Sequence, residues 1–202
     1  MDSIKAMKKI IDEEVEAVQL VQQHLEINRL EYQEVIDRIL HIEGHLILMG
    51  VGKSGHIGKK LAATFASTGT PAFFVHVTEA MHGDLGMITK NDVVMLISNS
   101  GETKEVIAPI DPIHRIGAEI IAVTGNNQST LAIKSDYLLD VYVEKEADAY
   151  NLAPTSSSTA TLVIGDSLAL TVSEMKGFTE REFGLYHPGG ALGQRLVSEG
   201  II

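Results

Sequence analysis

The chain has 202 residues, 45% of them hydrophobic, which is enough apolar content for one domain with a full core. Its formal net charge is −11 and no basic cluster stands out, so we expect no nucleic-acid partner. The absence of cysteine excludes disulfides and thiolate metal sites. The charged N-terminus is not a signal peptide and no apolar run is long enough to span a membrane, so we expect a cytoplasmic protein with no membrane partner.

The hydrophobic pattern alternates between helical and extended spacing along the chain. Helical spacing covers 3–27 and 31–43, and the apolar run 45–50 follows and ends at a glycine. Four more apolar runs follow, at 71–76, 92–98, 119–125 and 137–143. Helical segments lie near 55–69, 103–116, 130–135 and 157–176. Pro109 and Pro112 predict a kinked or shortened helix after the third run. This order predicts a single α/β domain, a three-layer sandwich whose five-stranded parallel sheet has helices on both faces.

The first predicted strand ends in the pattern G-x-G-x-x-G, at 50–55. A dinucleotide site needs an acid at the end of the second strand, where His76 stands instead. A P-loop needs a glycine at the position of Ile47. Both nucleotide interpretations therefore fail, which leaves a smaller phosphate ligand or a tight turn whose glycines are purely structural.

The third predicted strand leads into a loop rich in hydroxyl groups. Ser98, Ser100 and Thr103 surround Gly101 where a helix is predicted to begin. An ordinary N-cap needs one hydroxyl, and this loop offers three. The pattern favours a site for one phosphate over simple capping.

The fifth predicted strand is followed by acids and then by five consecutive hydroxyl residues, 155–159. A hydroxyl run before a long helix favours an anion or a polyol, and the alternative is a flexible loop with a surplus of capping groups. The preceding acids are Glu144, Glu146 and Asp148. In so acidic a chain, each of them taken alone is interpreted as a solvated surface residue.

Two histidines stand in turns shaped by glycine or proline. His187 begins the sequence HPGG, and a histidine in such a turn is a candidate general acid or base. His82 and Asp84 lie close together in MHGDLG, but two ligands without a third make a weak metal site. We therefore predict no metal.

Taken together, five segments resemble the sugar isomerase (SIS) domain of arabinose 5-phosphate isomerases, from about residue 5 to 198. They are GVGKSGHIGKKLAATFASTGTPAFFVH, EAMHGDLGMI, ISNSGET, NLAPTSSSTATLVIGDSLAL and HPGGALG. The resemblance implies a five-stranded parallel sheet between helices. It also implies interconversion of ribulose 5-phosphate and arabinose 5-phosphate, the first step toward the sugar Kdo of Gram-negative lipopolysaccharide, with neither metal nor organic cofactor.

The resemblance also implies which residues act. Carried over position by position, the catalytic residues are Lys53, Glu105, Glu146 and His187. The predicted substrate- and phosphate-binding residues are Gly52, Ser54, His82, Ser98, Asn99, Ser100, Thr103, Thr155, Ser156 and Ser157. A carboxylate is expected to move the proton between C1 and C2, and a nearby cation to stabilise the enediolate. Lys53 is expected at the sugar end, with the 98–103 loop on the phosphate.

The resemblance implies a homotetramer in which His187 approaches from a neighbouring subunit. Many relatives carry CBS modules after this domain, whereas this sequence stops at Ile202. We therefore expect any regulation to act at the isomerase site, with the anionic product CMP-Kdo as the candidate inhibitor. Two alternatives stay open: an isomerase for another sugar phosphate, and a sugar-phosphate sensor without turnover.

Overall fold

Five parallel strands form one sheet in the computed structural model, which describes residues 2–200. They are β1 (Leu46–Gly50), β2 (Ala72–His76), β3 (Val93–Ile97), β4 (Glu119–Thr124) and β5 (Tyr137–Asp140). The strand order is β2-β1-β3-β4-β5. Central strands β1 and β3 pair along their full length and are completely buried, so their carboxyl ends lie level at one edge of the sheet.

Helices of very different length surround this sheet. They are α1 (Ser3–Ile27), α2 (Arg29–Leu40), α3 (Gly52–Ser67), α4 (Val77–Ala80), α5 (Lys104–Ile107), α6 (Ile110–Ile116), α7 (Thr130–Lys134), α8 (Ser156–Met175), α9 (Glu180–Tyr186) and α10 (Ala191–Ser198). A 3₁₀ turn covers Asp84–Met87. No helix within residues 2–200 combines the length and the apolar character needed to cross a membrane.

Alternate residues of each strand point to opposite faces of the sheet, and each face has its own core. Leu46 and Leu48 of β1 face the core formed with α1, α2, α3 and α8. Ile47 and Met49 face the core formed with α4 to α7. The predicted three-layer α/β sandwich is therefore confirmed.

The predicted helix at 103–116 is divided in two by its prolines. Pro109 lies between α5 and α6 and occupies the N-cap position of α6. Pro112 falls in the first turn of α6, where a backbone N–H has no partner within the helix in any case. The expected shortening is confirmed, and α5 is left as a single turn behind the hydroxyl-rich loop.

Candidate active site

A cavity of about 420 Å³ opens at the carboxyl edge of the sheet. It lies among the segments that follow β1, β3 and β5 and the first turns of α8. Strand β1 leads to β2 on one side and β3 leads to β4 on the other, so the chain reverses direction across the sheet here. Parallel α/β sheets bind their ligands at such a switch point.

The turn from β1 into α3 forms one wall of the cavity. Gly50 and Gly55 pack backbone against backbone, since a Cβ on Gly50 would lie 3.1 Å from the amide nitrogen of Gly55. Gly52 has a φ of +58°, a conformation that favours glycine. The structural interpretation therefore accounts for these three glycines. The same turn places Lys53 and Ser54 on the cavity wall.

Lys53 supplies a cation to this cavity. Its side chain is exposed and forms no ion pair with any carboxylate of residues 2–200. An unpaired ammonium group on a cavity wall is free to bind an anionic ligand or to stabilise developing negative charge.

The loop after β3 forms the second wall, with hydroxyl and amide groups. The hydroxyls of Ser98 and Thr103 are 2.9 Å apart, and Ser98 also accepts a hydrogen bond from the amide of Gly101 at 3.2 Å. The amides of Asn99, Ser100 and Thr103 donate to no protein acceptor in the described part of the chain. These free donors suit an anionic group such as a phosphate.

The same loop is fixed from behind by α7. The carboxylate of Glu102 accepts hydrogen bonds from the amide of Thr130 at 2.6 Å and from its hydroxyl at 2.9 Å. Gly101 has a φ of +65°, and a Cβ there would lie 2.0 Å from Oγ of Ser129. Glu102 therefore holds the loop in place, and its carboxylate faces α7 and not the cavity.

The third wall carries Glu146, which lies between β5 and α8. Its carboxylate accepts hydrogen bonds from the amides of Thr155, at 2.8 Å, and Ser157, at 3.1 Å. Both of these residues also donate their hydroxyls to it. The anion at the start of α8 is the protein's own carboxylate, which is favourably placed at a helix N-terminus. Binding of a ligand anion or polyol by the same hydroxyl run stays a prediction.

A second acid organises the loop that precedes α8. The carboxylate of Asp148 accepts hydrogen bonds from three backbone amides, those of Tyr150, Leu152 and Ala153. The bond from Ala153, together with the other two, holds the pKa of Asp148 below its ordinary value despite partial desolvation. Asn151 has a φ of +54°, and its Oδ1 accepts the amide of Glu146 at 2.6 Å. Solvation alone therefore does not describe Glu146 and Asp148, because both are half-buried and accept hydrogen bonds from the loop.

The structure brings together eight of the predicted site residues on the cavity wall. They are Lys53, Ser54, Ser98, Asn99, Ser100, Thr103, Glu146 and Ser157. Six others do not line it: Gly52, His82, Glu105, Thr155, Ser156 and His187. Gly52 shapes the turn and Thr155 holds Glu146, whereas Ser156 is buried and Glu105 is exposed on α5.

Neither predicted histidine reaches the cavity within this chain. His187 follows α9, where its Nδ1 lies 2.8 Å from the carbonyl oxygen of Phe183 and its ring stacks on Phe183 at 4.0 Å between centroids. His82 is exposed in the turn after α4. Residues 2–200 contain no group of three side chains suited to hold a metal ion.

Asn151 and Lys145 are among the cavity residues that were not predicted from the sequence. The identity of Asn151 is a weak indication of its left-handed loop conformation, because asparagine is favoured at such turn positions. The sequence around Lys145 does not indicate its role, because its partner, Glu13 on α1, is far away in the chain. The distance between Nζ of Lys145 and Oε2 of Glu13 is 2.5 Å. This ion pair lowers the pKa of Glu13 and raises that of Lys145.

Comparison with known proteins gives a match over most of the chain. Residues 39–171 match the family model of the SIS domain. The Pseudomonas aeruginosa protein named arabinose 5-phosphate isomerase KdsD is 52% identical over 167 residues, which are 83% of this chain and 51% of the relative. The Escherichia coli K12 protein of the same name is 48% identical over 196 residues, 97% of this chain and 59% of the relative. The chain spans about half to three-fifths of the length of these curated relatives.

A solved structure matches the domain over nearly its full length. The structure of the Escherichia coli CFT073 protein c3406 in complex with arabinose 5-phosphate has a TM-score of 0.89 and 49% sequence identity. The alignment covers 93% of this chain and 98% of that one.

Proposed function

Because the chain belongs to the SIS domain family, we propose that it is an aldose–ketose isomerase that interconverts D-ribulose 5-phosphate and D-arabinose 5-phosphate. The observation that carries the proposal is the relative bound to arabinose 5-phosphate, which is 49% identical over 98% of its own length. Curated relatives named arabinose 5-phosphate isomerase point to the same substrate. The cavity offers a cation, a carboxylate and a hydroxyl-rich loop, which are the groups this reaction needs.

The substrate phosphate binds to the 98–103 loop. The hydroxyls of Ser98, Ser100 and Thr103 surround free backbone amides there. Lys53 lies on another wall of the same cavity and reaches the sugar end. Hydrogen bonds from hydroxyls and amides to a charged phosphate are among the stronger ones in proteins, so this loop fixes the orientation of the sugar.

Isomerisation moves one proton between C1 and C2 through a cis-enediol. A base removes the proton from C2 of the aldose while a proton reaches the carbonyl oxygen at C1. Return of the proton to C1, with loss of the C2 hydroxyl proton, completes the ketose. Glu146 is favoured as this base over Glu105, because only Glu146 lies on the cavity wall of the chain. The Lys53 ammonium stabilises the enediolate.

The cyclic aldose must open before isomerisation, which requires a proton shuttle. Histidine gains and loses a proton near neutral pH, and we assign this step to His187 of a neighbouring subunit in a homotetramer. The position of His187 outside its own chain's cavity supports this assignment. An exposed apolar stripe on α1 provides an interface; it consists of Ile4, Met7, Ile11 and Val15.

The experiment is a substrate panel followed by NMR in excess EDTA. Purified protein is incubated with pentose, hexose and heptose phosphates, and we expect conversion of ribulose 5-phosphate to arabinose 5-phosphate without a metal. The variant Lys53→Ala is the matched control and should lose most turnover. Turnover of another sugar phosphate alone, or binding without turnover, would overturn the proposal in favour of another isomerase or of a sensor. Loss of activity in EDTA that a divalent ion restores would refute the metal-free mechanism.

The cellular role follows from the same reaction. We place the enzyme in the cytoplasm at the first step toward Kdo and lipopolysaccharide, and we propose CMP-Kdo as a competitive inhibitor. The free amides and hydroxyls of the 98–103 loop, which bind the substrate phosphate, also suit the anionic groups of CMP-Kdo. The inhibitor should raise the KM for ribulose 5-phosphate without changing kcat. Unchanged kinetics at about millimolar CMP-Kdo, a level typical of weak ligands, would remove it from the proposal.

A further inference from the structure

Two adjacent acids of α1 contact the segment that carries Glu146. Glu13 pairs with Lys145, with 2.5 Å between Oε2 and Nζ. Glu14 accepts a hydrogen bond from the hydroxyl of Thr159, with 2.5 Å between the oxygens. The helix from which both acids project is itself held in place, because it packs along α8 and its side chains at 17 and 21 are buried.

The two contacts lie on either side of Glu146. Lys145 is the residue directly before it, and Thr159 lies in the first turn of α8. The N-cap of that helix, Thr155, and its residue Ser157 bind the Glu146 carboxylate. We propose that Glu13 and Glu14 are positioning residues, which hold Glu146 in its catalytic place by fixing the segment 145–159 to α1 at both ends. The proposal rests on the proposed isomerase function, in which Glu146 is the base.

Glu13 has a second effect, through charge. Lys145 lines the same cavity as Glu146, and a lysine side chain is long and flexible. The acid end of the pair is the fixed one, since the side chain of Glu13 is 18% exposed and that of Lys145 is 55% exposed. The ion pair therefore keeps the ammonium group turned toward α1. Without Glu13, this group is free to pair with Glu146.

Exposed ion pairs contribute little to folding stability, so loss of this pair should show mainly in catalysis. The test variants are Glu13→Met, Glu14→Met and the double variant. Methionine keeps the side-chain length and favours helices. Asp12→Met is the matched control, because Asp12 is an exposed acid on the same helix with no side-chain partner in the described chain.

The kinetic readout separates positioning from binding. The kcat of the double variant should fall about 10- to 100-fold, the usual cost of misplacing a catalytic group by an ångström. The KM for ribulose 5-phosphate should stay within about twofold, because the phosphate loop is untouched. Asp12→Met should match the wild type. Adding Lys145→Met to Glu13→Met should not lower kcat further, because the free ammonium group is then removed.

A second readout does not depend on turnover. Hydrogen–deuterium exchange reports on the amides of Thr155 and Ser157, which donate to Glu146. Both amides should exchange faster in the double variant than in Asp12→Met. If the wild type has no isomerase activity, the proposed function fails, and the exchange rates alone still decide whether α1 fixes this segment.

Three results would overturn the inference: wild-type kcat in the double variant, a loss of kcat with unchanged exchange at both amides, and an equal loss in Asp12→Met. Circular dichroism and thermal melting check that each variant folds. If the double variant does not fold, Thr159→Val removes a single hydroxyl from the other side of the same contact, and the same fall in kcat and faster exchange are expected.

Discussion

At the scale of single residues, the hydroxyl loop after β3 gives the most direct prediction. The triple variant Ser98→Ala, Ser100→Ala and Thr103→Ala removes the groups assigned to the phosphate. Each charge-assisted bond contributes about 1.5–3 kcal/mol, so affinity for ribulose 5-phosphate should fall at least about tenfold for each hydroxyl that binds. Because Ser98 and Thr103 bond to each other, removing both leaves no unpaired hydroxyl and the fold should survive.

The measurement is KM together with the dissociation constant for inorganic phosphate. Ser167→Ala serves as the control, since Ser167 is a serine of α8 outside this cavity whose hydroxyl bonds only to a carbonyl of its own helix. A triple variant with wild-type constants would reduce the three hydroxyls to simple capping groups.

How far the site could be predicted depends on whether a residue's role is local. Ser98 and Ser100 were predictable as cavity residues, because both directly follow a strand whose carboxyl end must lie at the ligand edge. The role of Ser157 was not, because the anion it binds is Glu146, brought there by the fold of an irregular loop. The pairing of Lys145 with Glu13 depends on how α1 packs on the sheet, and no local pattern encodes it.

At the scale of elements, the strands are predicted more completely than the helices. Each of the five strands was predicted within three residues of its ends, because a fully apolar run is a strong signal even when it is short. The helices α4, α9 and α10 went unpredicted, although α7, which has only five residues, was predicted. The start of α9 does carry a local signal, the capping box between Thr179 and Glu182.

The opposite edge of the sheet, where β1 and β3 begin, is held by one buried acid. Asp92 is 2% exposed, and its carboxylate accepts hydrogen bonds from the amides of His45, at 2.7 Å, and Thr89, at 2.6 Å. The hydroxyl of Thr89 also donates to it at 2.8 Å. Burial alone raises the pKa of Asp92, but these hydrogen bonds outweigh it and hold the pKa below its ordinary value.

Asp92→Asn should therefore destabilise the protein without affecting catalysis. We expect the free energy of unfolding to fall by about 2 kcal/mol at neutral pH, because an amide replaces a multiply bonded carboxylate. Since the folded pKa is depressed, this contribution is complete above about pH 4 and is lost as the pH falls through the folded value. Urea unfolding at a series of pH values measures the difference in free energy of unfolding between variant and wild type. This difference should narrow below about pH 4. A difference in free energy of unfolding that stays constant in acid, or an altered kcat, would contradict the purely structural role of Asp92.

At the scale of the whole molecule, the cavity of one chain lacks a predicted participant. Lys53 and Glu146 lie on its walls, whereas His187 packs on Phe183 outside it. Within one chain, the π-stacking and the bond to the Phe183 carbonyl are a sufficient structural role for this imidazole. In the proposed homotetramer, we expect the same turn to reach the cavity of a neighbour, and the exposed apolar stripe on α1 is the surface proposed for such an assembly.

Subunit complementation distinguishes these two roles. Lys53→Ala and His187→Ala are each expected to be inactive, and the two proteins are mixed, unfolded and refolded together. If His187 acts across the subunit boundary, some mixed tetramers contain a cavity whose Lys53 and neighbouring His187 are both wild type, so partial activity returns. If His187 serves its own chain, every cavity carries one of the two defects and none recovers.

Mass spectrometry must confirm mixed tetramers, and refolding each variant alone is the control. Mixed tetramers without activity would place His187 in the site of its own chain.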